Sequence, residues 1–385
     1  MQNNIHWKSR ILFIFALVGS AVGLGNIWRF PYIAKEQGIF FILFYLLFVF
    51  VVGVPAIYLE IFVGTKEKKS IVKIAKEYLK EKYYLTAIPF IVILSIASYY
   101  TVVTSWTLAF AFFPKLSFYA FKSSFLPLLF TLFVNLSAII IINREFHHGI
   151  EAINKYFVSF LLFFITILFL FSMPWEKLSL IYGSIPVKFN LSVILSAFSQ
   201  ALFTLSLGVG LLYTYALFAK PERLFTTSFI TAVADTVVAL LSFFMIMAFF
   251  VTININVSSP EELSFVVLKK VFSEYREFGG MLSFIFFFFL FSAAYTSVIS
   301  FYSFLKFNLP KRYSYLIYVP LVFSVFVSID WILGLDLIYI LDRFVVEPLL
   351  PLSMIINIVV FVKFYLSKTN EQKSLSSKLP IKNNL

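Results

Sequence analysis

Two glycine-rich stretches interrupt long apolar segments, and they carry the groups best suited to bind a small solute. The first stretch runs from Gly19 to Gly25 and is followed by Asn26, and the second runs from Thr204 to Gly210. Each glycine weakens a helix by about 1 kcal/mol relative to alanine. Where a helix unwinds, its free amides suit an anion and its free carbonyls suit a cation. The alternative is that these glycines only allow two helices to pack closely.

Asp235 is a second candidate, because it lies inside the apolar segment 225–252. An aspartate at the centre of a membrane-spanning helix costs about 2.5–3.5 kcal/mol on insertion scales, so such a residue is a functional candidate by default. Three interpretations are open. Asp235 could supply negative charge to a bound cation, it could exchange a proton, or it could lie near a helix end and reach water.

The composition indicates that the solvent around these segments is lipid. Hydrophobic residues make up 61% of the 385 residues and charged residues 13%, against roughly 45–50% and about 25% in soluble domains. The absence of cysteine excludes disulfides and thiolate metal sites. The net charge of +12 is attributed to cytoplasmic loops and not to nucleic-acid binding. An enzyme is the least favoured class, because the apolar segments lack a nucleophile–histidine arrangement.

Ten apolar stretches are long enough to span a bilayer as helices. They run over residues 9–34, 38–64, 84–113, 124–143, 153–173, 190–218, 225–252, 280–307, 313–334 and 337–366. Because barrel strands are far shorter than these stretches, we expect an all-α membrane protein. One transmembrane domain is predicted over 1–366, followed by a polar, disordered cytoplasmic tail over 367–385. Spans one and six, which contain the glycine-rich breaks, occupy the same place in two sets of five, which is typical of a transporter's binding site.

The charges of the loops predict the orientation. The loop 65–83 carries seven lysines, and basic loops face the cytoplasm. Both termini are therefore predicted to lie in the cytoplasm, with the chain in the plasma (inner) membrane. The segment 253–279 lies on the opposite side, where we expect a small amphipathic cap over an outer entrance.

The motifs themselves resemble the neurotransmitter:sodium symporter family, in particular its bacterial leucine-type amino acid transporters. The run Ser20-Ala-Val-Gly-Leu-Gly-Asn-Ile-Trp-Arg-Phe-Pro31 resembles the signature of the family's first helix. The runs that resemble its second, third and sixth helices are Gly53-Val-Pro55 with Glu60, Tyr99-Tyr100 with Ser105-Trp-Thr-Leu108, and Thr204-Leu-Ser-Leu-Gly-Val-Gly210. The resemblance implies two inverted five-helix repeats, with helices 1 and 6 unwound at the bilayer midplane. Family members commonly have about twelve spans, whereas ten are predicted here.

The resemblance also implies a site for a zwitterionic amino acid. Its carboxylate would meet the amides of Gly23 and Gly25 and the Tyr100 hydroxyl, and its ammonium would meet carbonyls of the two breaks. Glycine at position 23 leaves space for a carboxylate, whereas the family's amine transporters place an acidic side chain there. The predicted substrate-binding residues are Ala21, Gly23, Gly25, Ile96, Tyr100, Phe203, Thr204, Ser206, Val209, Ser297 and Phe301. Because the side-chain pocket is apolar, an aliphatic or aromatic amino acid is expected.

Two sodium sites follow from the same resemblance, and sodium, as a hard cation, suits oxygen ligands. The first would use Ala21, Asn26, Thr204 and Asp235, and the second Gly19, Val22, Ala293, Thr296 and Ser297. The family usually has asparagine where Asp235 stands, with negative charge supplied nearby by chloride or a glutamate. Here the neighbouring position is Ala239, so Asp235 is expected to supply that charge and chloride is expected not to be required. Two other chloride-site positions, Tyr45 and Gln200, remain.

The residues of the family's outer gate are present in the sequence, whereas those of its inner gate are only partly present. Arg29 and Asp342 would form the outer gate of the family. On the inner side Trp7 matches, but Asn4 and Phe307 stand where the family has an ion pair. Another interaction must therefore close that side.

The leading interpretation is a sodium-coupled symporter that works by alternating access, with an amino acid, sodium ions and the lipid bilayer as partners. One alternative is a proton-coupled or uncoupled amino acid carrier of the same fold. The other is a sensor that binds an amino acid without transporting it.

Overall fold

The computed structural model describes residues 6–172, 178–253, 260–273 and 276–378. These residues form helices joined by short connections, and the only bridge of strand type among them joins Gly38 and Val187. The all-α prediction is therefore confirmed for the described part of the chain. Asn4, which stands where the family has a member of the inner ion pair, and part of the predicted cap lie outside the described residues.

The first half contains the helices α1 to α8. They are α1 Arg10–Ala21, α2 Gly25–Gln37, α3 Ile39–Glu67, α4 Ile71–Leu79, α5 Ala87–Phe112, α6 Phe118–Lys122, α7 Leu126–Asn143 and α8 Ile150–Ser172. The second half contains the helices α9 to α17. They are α9 Leu178–Ser184, α10 Leu191–Thr204, α11 Leu211–Ala216, α12 Leu224–Ile253, α13 over residues 260–273, α14 Gly279–Asn308, α15 Val319–Ser328, α16 Leu337–Phe344 and α17 Leu350–Lys378.

The first predicted break is present between α1 and α2. Ser9 caps the start of α1, where its hydroxyl accepts a hydrogen bond from the Leu12 amide at 3.2 Å. The helix ends at Ala21 because Val22 adopts extended dihedral angles (φ −74°, ψ 116°). The chain then continues as α2 with a bend of 51°. The last carbonyls of α1 are therefore released from the helical ladder.

The second predicted break separates α10 from α11. Three of its residues adopt positive φ: Ser206 at 54°, Gly208 at 88° and Gly210 at 82°. Two of these three are glycines, for which such dihedral angles carry no steric cost. Gly208 also lies against α17, because an added β-carbon would lie 2.9 Å from Met354 Cβ. The glycines are therefore required by the backbone conformation itself.

The number of spans differs from the prediction. Within the described ranges, seven helices are long and apolar enough to cross a membrane, and the bent pair α1–α2 makes up to eight. The predicted spans 190–218 and 313–334 contain only shorter helices, of which α10 has 14 residues and α15 has 10. Interruption by the break explains the first case, and flanking 3-10 turns explain the second. The chain is a multi-pass membrane protein, while the count of ten spans stays a prediction.

The interior is built around α5 and α14, which lie beside the two broken helices. The residues of α14 from Phe289 to Leu305 are all buried. Large apolar side chains at the periphery are exposed instead, such as Leu43 on α3 and Phe133 on α7. This division is expected of a protein whose outer surface faces lipid.

Two further segments refine the predictions. The last helix continues to Lys378, so the first part of the predicted disordered tail over 367–385 is helical, and residues 379–385 lie outside the described ranges. The α13 segment is helical, as expected of a cap. Its Phe265 stacks between Phe118 and Phe287, with ring centroids 5.4 and 5.5 Å apart. The cap is thereby fixed to the helical core.

Candidate functional site

A narrow cavity lies where the two breaks meet, and we call it the inner cavity. Its volume is about 30 Å³. All the predicted substrate-binding residues line it: Ala21, Gly23, Gly25, Ile96, Tyr100, Phe203, Thr204, Ser206, Val209, Ser297 and Phe301. Further lining residues were not predicted: Ser20, Ile93, Leu202, Leu207, Leu211 and Leu350. The additional residues are mostly aliphatic, so the cavity is more apolar than expected.

Gly23 is closely surrounded by hydroxyl groups. An added β-carbon there would lie 2.3 Å from Tyr100 Oη and 2.8 Å from Ser297 Oγ. Position 23 therefore has no space for a side chain in this conformation. The amide groups differ from the prediction, because the Gly23 amide donates to Asn26 Oδ1 at 3.0 Å and the Leu24 amide donates to the Tyr100 hydroxyl at 2.9 Å. The Gly23 amide becomes free only if Asn26 rotates.

Side chains of the second break and of neighbouring helices bind the backbone of the two breaks. The Ser206 hydroxyl donates to the Ser20 carbonyl at 2.6 Å, and Ser297 donates to the same carbonyl at 3.4 Å. Glu60 accepts hydrogen bonds from the amides of Gly208 at 3.3 Å and Tyr213 at 3.2 Å. Glu60 thus binds backbone amides that the break between α10 and α11 leaves free. The two breaks form one connected site.

Asp235 is fully buried beside the first break. Asn26 Nδ2 donates to Asp235 Oδ1 at 2.7 Å, the Thr204 hydroxyl donates to the same oxygen at 3.0 Å, and the Tyr45 hydroxyl donates to Oδ2 at 3.2 Å. All these donors are neutral, and no basic side chain in the described residues forms an ion pair with Asp235. A position near a helix end that reaches water, one of the three interpretations, is therefore wrong. Because an isolated buried carboxylate is costly, the remaining choices are a bound cation or a proton.

The residues predicted for the second cation lie between α1 and α14. Thr296 donates its hydroxyl to the Ala293 carbonyl at 2.9 Å. A β-carbon on Gly19 would lie 3.3 Å from Thr296 Cβ, so these two helices touch at this level. Val22 directly follows the end of α1. The arrangement places released α1 carbonyls beside the hydroxyls of α14.

A second cavity, which we call the vestibule, adjoins the inner cavity. It has a volume of about 330 Å³, and it shares Gly25, Tyr100 and Phe203 with the inner cavity. Glu261 of α13 is also part of its lining. The predicted cap therefore borders the cavity that leads to the site.

The predicted outer pair is present at the base of the vestibule, with Arg29 Nε 3.5 Å from Asp342 Oδ2. Two partners were not predicted. The Tyr99 hydroxyl donates to Asp342 Oδ1 at 2.8 Å, and Arg29 donates to the side-chain oxygen of Gln200. Gln200 in turn donates to the Gly25 carbonyl at 2.9 Å. Gln200 thus connects the outer pair to the first break. In the sequence, only the presence of Arg29, a charged donor that needs acceptors, could have pointed to such a partner.

The opposite end of α1 is closed by aromatic rings. Successive ring centroids of Trp7, Phe146, Phe218 and Phe307 lie 4.7, 4.8 and 4.7 Å apart, and we call these four residues the inner aromatic cluster. Trp7 also donates its indole N–H to the Tyr215 carbonyl at 3.0 Å. Phe307 therefore extends an apolar barrier at the position where the family has an acidic residue.

Comparisons with known proteins find transporters that are similar to this chain. The model of the sodium:neurotransmitter symporter family matches residues 4–125. An uncharacterized sodium-dependent transporter of Methanocaldococcus jannaschii is 29% identical, over 92% of this chain and 81% of its own length. The sodium-dependent neutral amino acid transporter B(0)AT2 of Rattus norvegicus is 39% identical over 26% of this chain, which corresponds to 14% of that protein.

A solved structure extends the comparison to the fold. The crystal structure of MhsT in complex with L-phenylalanine has a TM-score of 0.80 and 27% identity, over 92% of this chain and 89% of that chain. The relatives are transporters, so the prediction that the chain is not an enzyme is confirmed. The predicted resemblance is confirmed as well: the chain is similar to sodium-dependent transporters, and its first part matches the model of the sodium:neurotransmitter symporter family.

Proposed function

We propose that the protein is a sodium-coupled symporter that imports a zwitterionic, hydrophobic amino acid by alternating access. The observation that carries the proposal is the convergence of both helix breaks on one cavity beside the buried Asp235. Where the breaks converge, polar groups for a zwitterion lie next to polar groups for a cation. Because ligand and cation would share Thr204 and the first break, each would raise the affinity for the other by the same factor.

The chemistry of the inner cavity supports a hydrophobic amino acid. Ile96, Val209 and Phe301 form its apolar side, and the Phe301 ring lies edge-on to Tyr100 with centroids 5.3 Å apart. An aromatic ring packs favourably against such edges. The structurally similar MhsT was crystallised in complex with L-phenylalanine. L-Phenylalanine is therefore the first candidate substrate.

Asp235 supports sodium coupling without chloride. In the proposed function, its carboxylate supplies the negative charge for the first of two sodium ions, next to Asn26 and Thr204. The second ion would lie between Gly19 and Thr296. A proton on Asp235 is the alternative, and it would make uptake follow the pH gradient instead.

The proposal also includes an orientation in the membrane and a division of the chain into domains. The transport domain spans 1–366 as two inverted repeats, in the plasma membrane with both termini in the cytoplasm. The basic loop 65–83 supports this orientation, because lysine-rich loops remain on the cytoplasmic side. The vestibule then faces outward.

Uptake of radiolabelled L-phenylalanine by the purified protein in liposomes tests the function. We expect accumulation only with an inward sodium gradient, and equal uptake when chloride is replaced by gluconate. Accumulation driven by a pH gradient alone would indicate the proton-coupled carrier, and equilibration without any gradient the uncoupled carrier. Binding without accumulation would indicate the sensor. Loss of uptake in gluconate would contradict the role of Asp235.

A further inference from the structure

Asn154 on α8 is a fully buried amide whose oxygen has no hydrogen-bond partner. Its nitrogen donates to the Ile150 carbonyl at 2.8 Å. Because a carbonyl can only accept, the nitrogen must face Ile150, and the oxygen must point away from it. The amide group of Asn154 also donates toward the nearby Tyr215 hydroxyl, which is itself hydrogen-bonded to Ser300 at 2.9 Å. Buried polar atoms normally find partners, so this oxygen requires an explanation.

The unpartnered oxygen points at the end of α1. A β-carbon on Gly19 would lie 2.6 Å from Asn154 Oδ1, and the same point lies 3.3 Å from Thr296 Cβ. Gly19 and Thr296 are two of the residues predicted for the second cation. The oxygen of Asn154 therefore lies beside that site, on a third helix that the predicted ligands do not use.

We propose that Asn154 contributes its side-chain oxygen as an additional ligand of the second sodium ion. Amide oxygens are suitable ligands for hard cations, and a cation would satisfy the free lone pairs. The continuous helix α8 holds the amide rigidly, because its nitrogen is tied to the preceding turn. This inference rests on the proposed sodium-coupled function and adds a ligand from α8 to a site formed by α1 and α14.

Asn135 offers a matched control. It is also fully buried, and its nitrogen also donates one turn back, to the Thr131 carbonyl at 2.9 Å. Its oxygen, however, accepts a hydrogen bond from the Tyr302 hydroxyl. Replacing Asn135 therefore removes a buried amide of the same type without removing a free oxygen.

The test measures binding of radiolabelled L-phenylalanine to purified protein as a function of sodium, together with the number of ²²Na⁺ ions bound. We expect Asn154→Ala to raise the half-saturating sodium concentration about tenfold and to lose one bound ion at sodium concentrations that saturate the wild type. Asn154→Asp, which keeps an oxygen at the same place, should retain both ions. Asn135→Ala should leave both readouts unchanged.

The outcomes separate the two proposals. Wild-type protein that binds phenylalanine without sodium would contradict the proposed function itself. Sodium-dependent wild type with an unchanged Asn154→Ala variant would overturn only the role of Asn154. An equal shift in the Asn135→Ala and Asn154→Ala variants would also overturn it, because general destabilisation would then explain the effect. The melting temperature of each variant is recorded to detect misfolding.

Discussion

On the vestibule side of the inner cavity the barrier is polar, whereas on the opposite side it is aromatic. Arg29 and Asp342 are partly exposed, at 17% and 29%, and they border a cavity of about 330 Å³. In the inner aromatic cluster, the side chain of Phe218 is only 3% exposed. The helix α1, whose 12 residues correspond to a length of about 18 Å, lies between the two barriers. Polar groups can exchange partners with water, so the vestibule side should open at lower cost than the aromatic side.

The two barriers are therefore stabilised by different interactions. Partly exposed ion pairs depend on hydrogen bonding and on ionic strength. Apolar clusters depend on buried area and on packing. The absence of native cysteine makes both barriers measurable, since single cysteines can be introduced. Ser20→Cys would report on the inner cavity, and Ser303→Cys on the buried face of α14 next to the inner aromatic cluster.

The largest effect is expected for Phe218→Ala. Truncating a buried phenylalanine costs about 3 kcal/mol, which corresponds to a roughly 100-fold shift toward the state open on the aromatic side. Labelling of Ser303→Cys by a membrane-impermeant thiol reagent in inside-out vesicles should accelerate accordingly. Phe163→Ala, which truncates a phenylalanine that is 60% exposed at the periphery, is the control. Equal labelling in both variants would show that the cluster does not close this side.

Arg29→Ala should have the next largest effect, and on the vestibule side only. The substitution leaves Asp342 and Gln200 without their cation, at a cost of about 2 kcal/mol. Ser20→Cys in intact cells should then be labelled about 30-fold faster, while Ser303→Cys should keep its rate. A change at Ser303→Cys alone would reverse the assignment of the two barriers.

Tyr99→Phe should have a smaller effect on the same side. It removes the 2.8 Å hydrogen bond to Asp342 and nothing else, which corresponds to about 1 kcal/mol. Labelling of Ser20→Cys should rise about fivefold. No change in rate would mean that the ion pair alone holds this barrier.

The smallest expected effect is that of salt. Raising choline chloride from about 0.1 M to about 1 M shortens the Debye length from about 10 Å to about 3 Å. Labelling of Ser20→Cys should rise less than about twofold, because the pair is only partly exposed. Ser303→Cys should not accelerate, since salt does not weaken apolar packing. A larger increase at Ser303→Cys would contradict an aromatic barrier.

The sequence was informative where the signal is local. Glycine spacing predicted both breaks, and Asp235 was recognised as a candidate because a charge is costly in lipid. The resemblance placed the cavity residues, including Gly23 and Tyr100. These predictions depend on single positions or short runs.

Contacts between distant parts of the chain could not be predicted in the same way. The bond between Asn26 and Asp235 joins residues 209 positions apart, and only the family resemblance suggested it. The inner aromatic cluster and the free oxygen of Asn154 required the packing of several helices. Short helices such as α15 were read as longer spans, because apolar composition continues through their flanking 3-10 turns.

The central claim is that the Asp235 carboxylate supplies the charge that binds sodium together with the amino acid. The most direct test measures the half-saturating sodium concentration for L-phenylalanine binding, in chloride-free buffer, for the wild type and for Asp235→Asn. Loss of the only charged ligand should raise that concentration at least about tenfold. A variant with the wild-type sodium dependence would contradict the account.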